Sequence, residues 1–353
     1  TTLATTPVSQ EQPFLRTGAK GRLSVFVPAV RRNSSGTDWQ SGTAGRAIPI
    51  SDFFVVTPRT SVNAINAALN RRQNLLLTPG VYDLSKSIQV RRANTVVLGL
   101  GFPTLVPQKG TAAMVVRGVP GVKLSDAIFD AGPKNSPSLL EIGSRHGQHR
   151  SSASDPTLVS DVFFRIGGAT PGRATNSLVI NSSHVILDDI WAWRADHGNG
   201  VGWNQNVGEH GLVVNGSHVT ATGLAVEHYE KSQVLWKGER GQDIFFQSEM
   251  PYDVPSQSVW MESPTVDGYP SFKVSRDVVR FSGYGMGSYS FFDQGLPIEA
   301  SMGFQSPDRP GVQFNDLLTR FLNGSGGIES VINGTGAPVN QANPGPSNVT
   351  SYP

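Results

Sequence analysis

The chain has 353 residues, a formal net charge of +2 and only 16% charged residues, so its charge gives no reason to expect nucleic acid or an anionic membrane as a partner. It contains no cysteine, which excludes disulfides, thiolate nucleophiles and cysteine-based metal sites. The 39 glycines and 24 prolines favour many turns and short strands over long helices.

The first hundred residues predict strands interrupted by one helix. The predicted strands are Phe14–Arg16, Leu23–Val27, Leu75–Tyr82 and Thr95–Leu98. Between them, Thr60 and Ser61 provide a cap for an amphipathic helix that ends near Arg71 and places Val62 and Ile65 on one face. A helix followed by strands is how many parallel β-helices cover their open first coil. We therefore expect a solenoid that begins near residue 46.

An internal repeat in the middle of the chain is the strongest pattern. Asn181–Val185 aligns with Asn215–Val219 at an offset of 34 residues. The second copy aligns with a segment that ends at Glu249, at an offset of 22. Four positions of the repeat are then occupied by Ile190, Leu224 and Phe246; by Trp191, Ala225 and Gln247; by Ala192, Val226 and Ser248; and by Trp193, Glu227 and Glu249.

Strand alternation places the first and third sets inside and the other two outside. A repeat of about 22 residues with short alternating strands predicts a parallel β-solenoid. The expected fold is an all-β, right-handed parallel β-helix. Its expected division is 1–45 for tail strands of a preceding unit plus a linker, 46–337 for the β-helix, and 338–353 for an irregular C-terminal tail.

Two segments interrupt the predicted coils. One runs from about Gly132 to Ala174 and is rich in Ser, Gly, Arg and His, and the other, Arg194–Gln205, adds 12 residues to its coil. Long loops beside an exposed sheet often form the walls of a binding site.

Glu227 and Glu249 are the candidate catalytic residues, because glycoside hydrolysis needs one carboxylic acid and one carboxylate. Neighbouring carboxylates also move each other's pKa values apart. Two outward glutamates on a β-helix could equally be ordinary solvated residues. The indole of Trp193 in the same row favours the catalytic interpretation.

Aromatic residues are concentrated around this row and suit the apolar faces of sugars. They are Trp191, Trp193, Trp203, Tyr229, Trp236 and Tyr252. Packing in the core is the alternative for some of them, but alternation directs Trp191 and Trp193 outward.

A metal site and a calcium-dependent lyase are weaker alternatives. His197, His210 and His228 match no metal-ligand spacing, so we expect no metal and no cofactor. Asp188 and Asp189 resemble the acidic pairs of pectin-degrading β-helices, but alternation predicts Asp188 inside and Asp189 alone outside. The paired Asn181 and Asn215, although both lie in Asn-x-Ser sequons, are explained more simply as stacked turn residues.

Two stretches, Gly211–Glu230 and Gln242–Tyr252, resemble glycoside hydrolase family 55, the exo-β-1,3-glucanases or laminarinases, and in particular those of actinomycetes. The resemblance extends over nearly the whole chain and includes Val25–Ala29. It implies tandem parallel β-helices with a pocket between them, of which this chain would contain the second. It also implies secretion and the release of glucose from chain ends of laminarin with inversion.

By this resemblance Glu249 matches the general acid, Glu227 matches the carboxylate that helps to hold the attacking water, and Trp193 and Tyr252 match sugar-contacting aromatics. Trp191, Trp203, Gln247 and His228 are further candidate substrate-binding residues. The identity of the base stays open.

Family members are longer than this chain, and their first β-helix also lines the pocket. We therefore expect a separate chain that carries the N-terminal half as a partner. Adjacent strands bring Cβ atoms within about 5 Å, which is closer to the carboxyl separation of retaining enzymes than to the roughly 6.5–9.5 Å of inverting ones. Because side chains can diverge, strand spacing does not decide the stereochemistry. A calcium-dependent polysaccharide lyase and a glycan-binding β-helix without catalysis are the alternative functions.

Overall fold

The computed structural model describes residues 3–35, 44–144 and 150–353. The strands of the N-terminal part are β1 (Thr6–Ser9), β2 (Phe14–Thr17), β3 (Leu23–Pro28), β4 (Arg31–Ser34) and β5 (Gly45–Pro49). The predicted pair of strands near Phe14 and Leu23 is confirmed, because β2 and β3 pair antiparallel and β5 adds to β3 on its other edge. Part of the segment 1–45 lies outside the described residues, and its assignment to a preceding domain stays a prediction.

The next strands, up to the first long ones, are β6 (Phe53–Val56), β7 (Asn74–Leu77), β8 (Val81–Leu84), β9 (Ile88–Val90), β10 (Val96–Gly99), β11 (Thr104–Pro107), β12 (Met114–Val116), β13 (Lys123–Asp130) and β14 (Leu140–Ile142). The middle of the chain forms β15 (Thr157–Ile166), β16 (Asn176–Ile180), β17 (Val185–Arg194), β18 (His210–Val214), β19 (Thr220–Glu227), β20 (Val234–Trp236) and β21 (Gly241–Glu249).

The C-terminal third forms β22 (Met261–Ser263), β23 (Val266–Asp267), β24 (Phe272–Val274), β25 (Phe281–Phe292), β26 (Glu299–Ala300), β27 (Phe304–Gln305), β28 (Val312–Gly324), β29 (Gly327–Ile328), β30 (Val339–Asn340) and β31 (Ser347–Tyr352). Short 3₁₀ turns lie at Ala19–Gly21, Ile50–Asp52 and Gln257–Val259.

The predicted helix is confirmed as α1 (Val62–Asn70). Its N-cap is Ser61, whose side chain accepts a hydrogen bond from the backbone N–H of Ala64 at 3.2 Å and so satisfies one of the free amides of the first turn. Val62 and Ile65 are buried against the first coil. Among the described residues, no helix is long and apolar enough to cross a bilayer.

Two sheets form the β-helix, and most coils contribute a strand to each. The main path of the first sheet is β6-β7-β10-β13-β15-β17-β19-β21-β25-β28-β31, in which β13 to β28 are the long strands, and β8 and β11 join this sheet off the path. The second sheet is β9-β12-β14-β16-β18-β20-β24-β27. Apart from β31, the neighbours in both sheets are parallel. Side chains from both sheets meet in one continuous apolar core. The predicted parallel β-helix is therefore confirmed.

The long strands of the first sheet bend at one shared position, where the backbone is left-handed. The residues at this corner have φ between 51° and 70°, and they are Asp126, Asp161, Asp189, Gly223, Phe245, Gly285 and Asp316. Glycine and aspartate tolerate this conformation, whereas Phe245 carries the larger steric cost of a bulky residue. The pairing on both sides of the corner is continuous, so successive corners lie above one another.

The corner resets the inside–outside alternation, which makes the prediction for Asp188 wrong. Leu187 is fully buried in the core, whereas Asp188 is only partly buried and follows it on the outer side. After the corner at Asp189, Ile190 points inward again. A simple period of two carried across residue 189 therefore assigns the first half of the strand to the wrong faces.

The segment Gly132–Ala174 is not the continuous excursion that its composition predicts. It contains β14 and the ten-residue strand β15, and β15 pairs with β13 and β17 in the middle of the first sheet. The sequence did not predict β15, because the polar residues Ser160 and Asp161 at its corner interrupt the apolar pattern of the strand. Residues 145–149 of the predicted excursion lie outside the described residues. The second excursion is confirmed, because the residues between β17 and β18 form a loop.

The prediction of an irregular C-terminal tail is also wrong. β31 pairs antiparallel with β28 and closes the last coil of the first sheet, and Val349 faces Leu317. Proline and asparagine lie in the turns that precede β31, so the composition of the segment did not reveal its strand.

Asp243 is a charged residue in the middle of the core. It occupies an inward position between Ala221 and Gly283, its side chain is fully buried, and neither carboxyl oxygen has a hydrogen-bond partner among the described residues. Burial raises the pKa of Asp243 well above the ordinary value.

We expect Asp243→Asn to raise the free energy of unfolding at neutral pH by about 1–3 kcal/mol, because asparagine keeps the shape and does not have to take up a proton to be buried. The folded-state pKa lies above the unfolded one, so wild-type stability falls as the pH rises through the ordinary carboxyl range towards the raised value. The two proteins should be equally stable at about pH 3 and diverge above it, as measured by urea unfolding.

The matched control is Asp277→Asn, because the Asp277 side chain is 91% exposed. This variant should behave like the wild type at each pH. Equal stability of Asp243→Asn and wild type from acid to neutral pH would contradict the interpretation.

Candidate active site

The predicted row of outward side chains lies at the ends of three neighbouring strands. Trp193 on β17 pairs with Glu227 on β19, and Ala225 pairs with Gln247, two residues before Glu249 on β21. Ala192, Val226 and Ser248 are buried, so the residues that alternate with them point outward. The offsets of 34 and 22 residues and the assignment of the four repeat positions are therefore confirmed.

The row continues on both sides with residues that the sequence analysis missed. Arg165 pairs with Trp193 on one side, and Tyr289 pairs with Glu249 on the other. Arg165 forms a bidentate ion pair with Asp130, with nitrogen–oxygen distances of 2.6 and 2.8 Å. Arg165, Glu227 and Glu249 each occupy the fourth position after a left-handed corner, and this shared position is the signal that could have identified the missing members.

Glu227 is held by the indole of Trp191 and the amide of Gln247. Its Oε2 accepts a hydrogen bond from Trp191 Nε1 at 2.8 Å. Burial raises the pKa of Glu227, the nearby charge of Glu249 adds to this rise, and the hydrogen bond from Trp191 opposes it. The Glu227 carboxylate therefore becomes protonated at a higher pH than that of an ordinary exposed glutamate.

Glu249 is held by the chain that follows it. The Tyr252 hydroxyl donates a hydrogen bond to Glu249 Oε2, and Gln247 Nε2 lies 3.4 Å from Oε1. Burial, followed by the hydrogen bond with Glu249 and its charge, raises the pKa of Tyr252. Tyr252 therefore remains a neutral donor. The Glu249 side chain is 24% exposed, so a ligand can reach it.

Two indoles form a flat wall beside the carboxylates. The rings of Trp191 and Trp193 stack with centroids 5.4 Å apart and an interplanar angle of 18°. Asp196 fixes the second ring, because its Oδ1 accepts from Trp193 Nε1 at 3.1 Å. Burial opposes ionisation of Asp196, but the charge of His228 and the contacts with His197 outweigh it and lower the pKa of Asp196.

His228 lies beneath the exposed layer of the site. Its side chain is 4% exposed, and Nε2 is 3.8 Å from Asp196 Oδ1 and 4.0 Å from Glu249 Oε2. The other ring nitrogen, Nδ1, is 3.2 Å from the carbonyl oxygen of Met250, which requires a proton on Nδ1. The His228 ring also packs edge-on against Tyr252 at 4.3 Å. In this conformation His228 supports Asp196, Glu249 and Tyr252 from below.

Arg194 connects the loops behind the site, and the sequence analysis assigned it no role. Its side chain is 1% exposed, and it forms a bidentate ion pair with Asp253 at 2.9 Å. It also donates to the carbonyl oxygens of Asn206 and His228. Trp203 lies 5.6 Å from the guanidinium group. One buried cation thus joins the loop after β17 to the turns after β19 and β21.

The remaining candidates divide between the site and the core. Tyr229 and Trp236 are fully buried in the core, so packing explains them. Asn181 and Asn215 form the expected coil-to-coil contact, with Nδ2 of Asn215 2.8 Å from Oδ1 of Asn181. Across the described ranges, no three acidic or histidine side chains converge as a metal site.

The sequence matches known proteins over its full length. The profile of the LAM55 pectate lyase-like domain covers residues 53–249. An exo-β-1,3-glucanase of Streptomyces sp. (strain SirexAA-E / ActE) is 47% identical over 354 residues, which cover 100% of this chain and 58% of the relative.

Solved structures agree with this match. The structure of sacteLam55A from Streptomyces sp. SirexAA-E has a TM-score of 0.96 and 47% identity, covering 100% of this chain and 64% of the other. A glutamate-to-alanine variant of sacteLam55A in complex with glucose has a TM-score of 0.93 and 46% identity. This match covers 99% of this chain and 63% of the other.

The chain therefore spans less than two thirds of the length of these relatives. The profile match covers more than half of the chain, and the identity extends from end to end. The chain belongs to glycoside hydrolase family 55, the family of the LAM55 β-helix enzymes.

Proposed function

We propose that this chain supplies the catalytic β-helix for hydrolysis of β-1,3-glucan, with release of glucose from chain ends and inversion at the anomeric carbon. The observation that carries the proposal is the row of Trp193, Glu227 and Glu249, in which two differently held carboxylates lie beside a flat indole. The 47% identity to an exo-β-1,3-glucanase and the glucose complex of its variant support the substrate class.

Glu249 is proposed as the general acid that protonates the glycosidic oxygen. When Glu249 has given up its proton, the hydroxyl of Tyr252 donates to the new carboxylate, which stabilises the charge that develops in the transition state. Trp193, Trp191 and Trp203 would bind the apolar faces of the sugar.

Glu227 is proposed to hold or deprotonate the attacking water in its ionised form. Its partner Trp191 lies on β17, on the far side of β19 from β21, whereas the partner of Glu249 is Tyr252, after β21. The two carboxylates are therefore held from different sides, and the amide of Gln247 interacts with both. The proposal of inversion rests on the family to which the chain belongs.

Two further expectations remain proposals. The relatives are longer than this chain, and a separate chain that supplies the remaining length would complete the pocket walls. Native mass spectrometry of the purified protein would detect such a partner. Polymeric glucan cannot enter a cell, so we also propose an extracellular location, which fractionation of the producing culture would test.

Digestion of laminarin followed by proton NMR tests the function and the stereochemistry together. We expect glucose as the product and the α-anomer as the first signal, before mutarotation produces the β-anomer. An initial β-anomer would contradict inversion. Unsaturated, ultraviolet-absorbing products would favour the lyase alternative, and binding without turnover would favour a glycan-binding β-helix.

Glu249→Gln should lower kcat on laminarin by about 100- to 10,000-fold, the usual contribution of a general acid, because the amide has no proton to transfer. The matched control is Glu329→Gln, a change at an exposed glutamate that should leave kcat unchanged. The assignment is wrong if Glu249→Gln retains most of its turnover.

Trp191→Phe should shift the acid limb of the pH–rate profile to higher pH. The variant loses the indole N–H that stabilises ionised Glu227, so the pKa of Glu227 rises further and its carboxylate is lost earlier as the pH falls. The readout is kcat/KM measured from acid to neutral pH.

Trp193→Phe is the control for this shift, because the N–H of Trp193 is donated to Asp196 and not to Glu227. It should lower kcat/KM and leave the acid limb in place. An unchanged acid limb in Trp191→Phe would show that Glu227 does not set it.

A further inference from the structure

The outer face of the second sheet carries two grooves on the opposite side of the core from the carboxylates. The first has a volume of about 690 Å³ and lies over β14, β16, β18 and β20. The second has a volume of about 660 Å³ and lies over β24 and β27.

One column of outward side chains runs through both grooves. Each member pairs with the next on the neighbouring strand, and the column is Glu141, Val179, Val213, Leu235, Lys273 and Gln305. In β14, β16, β18, β20 and β24, the residues directly before and after the column member are buried in the core, so the member itself points outward. Six strands spaced by roughly 4.8 Å give a track about 24 Å long, which is long enough for several sugar units.

The floor and walls of the first groove suit a carbohydrate. Val179 and Leu235 are partly exposed on either side of the nearly buried Val213, and they offer apolar surface for the C–H faces of a sugar ring. Amides stand along its edge, with Asn181 and Asn215 joined to each other at 2.8 Å. Amide groups can both donate to and accept from sugar hydroxyls.

Two residues that line the second groove each contain one buried oxygen without a hydrogen-bond partner among the described residues. These atoms are Ser306 Oγ and Gln305 Oε1. Tyr352 and Asn333 line the same groove, and Asn333 Nδ2 donates a hydrogen bond to the Tyr352 hydroxyl at 2.9 Å. Unpaired buried oxygens are costly unless a ligand or water satisfies them.

Most charges beside the track are compensated. Glu209 pairs with Lys231 at 2.9 Å, Lys273 pairs with Glu262, and Arg276 lies 3.8 Å from Asp277. A ligand that matches such a surface is neutral and rich in hydroxyl groups, which a uronic acid polymer or a nucleic acid is not.

We propose that this column is a second glucan-binding track, which holds a linear neutral polysaccharide while a chain end reaches the carboxylates on the first sheet. The choice of β-1,3-glucan as the polysaccharide rests on the proposed function. The track itself rests on the column, the two grooves, and the apolar and amide groups of the first groove.

Retention of the full chain on insoluble β-1,3-glucan, measured at several polymer concentrations, tests the track. Leu235→Arg places a long charged side chain in the first groove, and we expect about tenfold weaker retention, which corresponds to the loss of about 1.4 kcal/mol of binding. Turnover of a short soluble β-1,3-gluco-oligosaccharide should be unchanged, because the carboxylates lie on the other sheet. Val81→Arg is the matched control, at a position that is 59% exposed and outside both grooves.

Asn215→Ala and Lys237→Ala are further variants at exposed positions of the groove wall, and they keep the test decisive if Leu235→Arg does not fold. We expect each to weaken retention several-fold. The proposal is overturned if retention is unaffected by all the groove variants, or if Trp193→Ala alone abolishes it. Absence of oligosaccharide turnover would contradict the proposed hydrolysis. If retention is still weakened by the groove variants in that case, the glucan-binding track is supported independently of hydrolysis.

Discussion

The row of Trp193, Glu227 and Glu249 depends on the left-handed corner that the long strands of the first sheet share. Each of Trp193, Glu227 and Glu249 is the fourth residue after such a corner, at Asp189, Gly223 and Phe245. Parallel pairing then fixes the row side by side. A slip of one residue in any of these strands would turn its functional side chain into the core. The strained conformation of Phe245 therefore persists because the pairing of both neighbouring strands determines it.

Around this row, the two carboxylates have similar exposure but different partners. Glu227 is tied to an indole on the preceding coil, and Glu249 to a phenol on its own chain, three residues later. A buried layer below them, formed by His228 and Arg194, joins the loop after β17 to the turns after β19 and β21. Glu227 and Glu249 occupy equivalent positions on neighbouring strands. Their different chemical environments therefore come from their neighbours.

Much of the fold and part of the site could be predicted from the sequence. The repeat gave the parallel β-helix, the offsets and the row, because the apolar positions Ile190, Leu224 and Phe246 obey strand alternation. Asp188 was misplaced because a single left-handed residue shifts that alternation, and β15 was missed because its corner is polar. Arg194 could not be predicted, because its partners Asp253 and Asn206 are distant in sequence and meet only in the folded loops. The strand β31 was hidden by the proline and asparagine of the turns before it.

The loop between β17 and β18 has a consequence for how this fold can diversify. Its 12 extra residues leave the coil after Trp193 and return before the next strand, so the pairing of Trp193 with Glu227 is unaffected by its length. This loop carries Asp196, whose carboxylate accepts the hydrogen bond from Trp193, and Trp203, whose ring lies over the Arg194 guanidinium group. The two candidate carboxylates and the loop beside them are thus encoded in separable segments. Insertions or deletions can change this loop while the spacing of the carboxylates, which the sheet sets, stays the same.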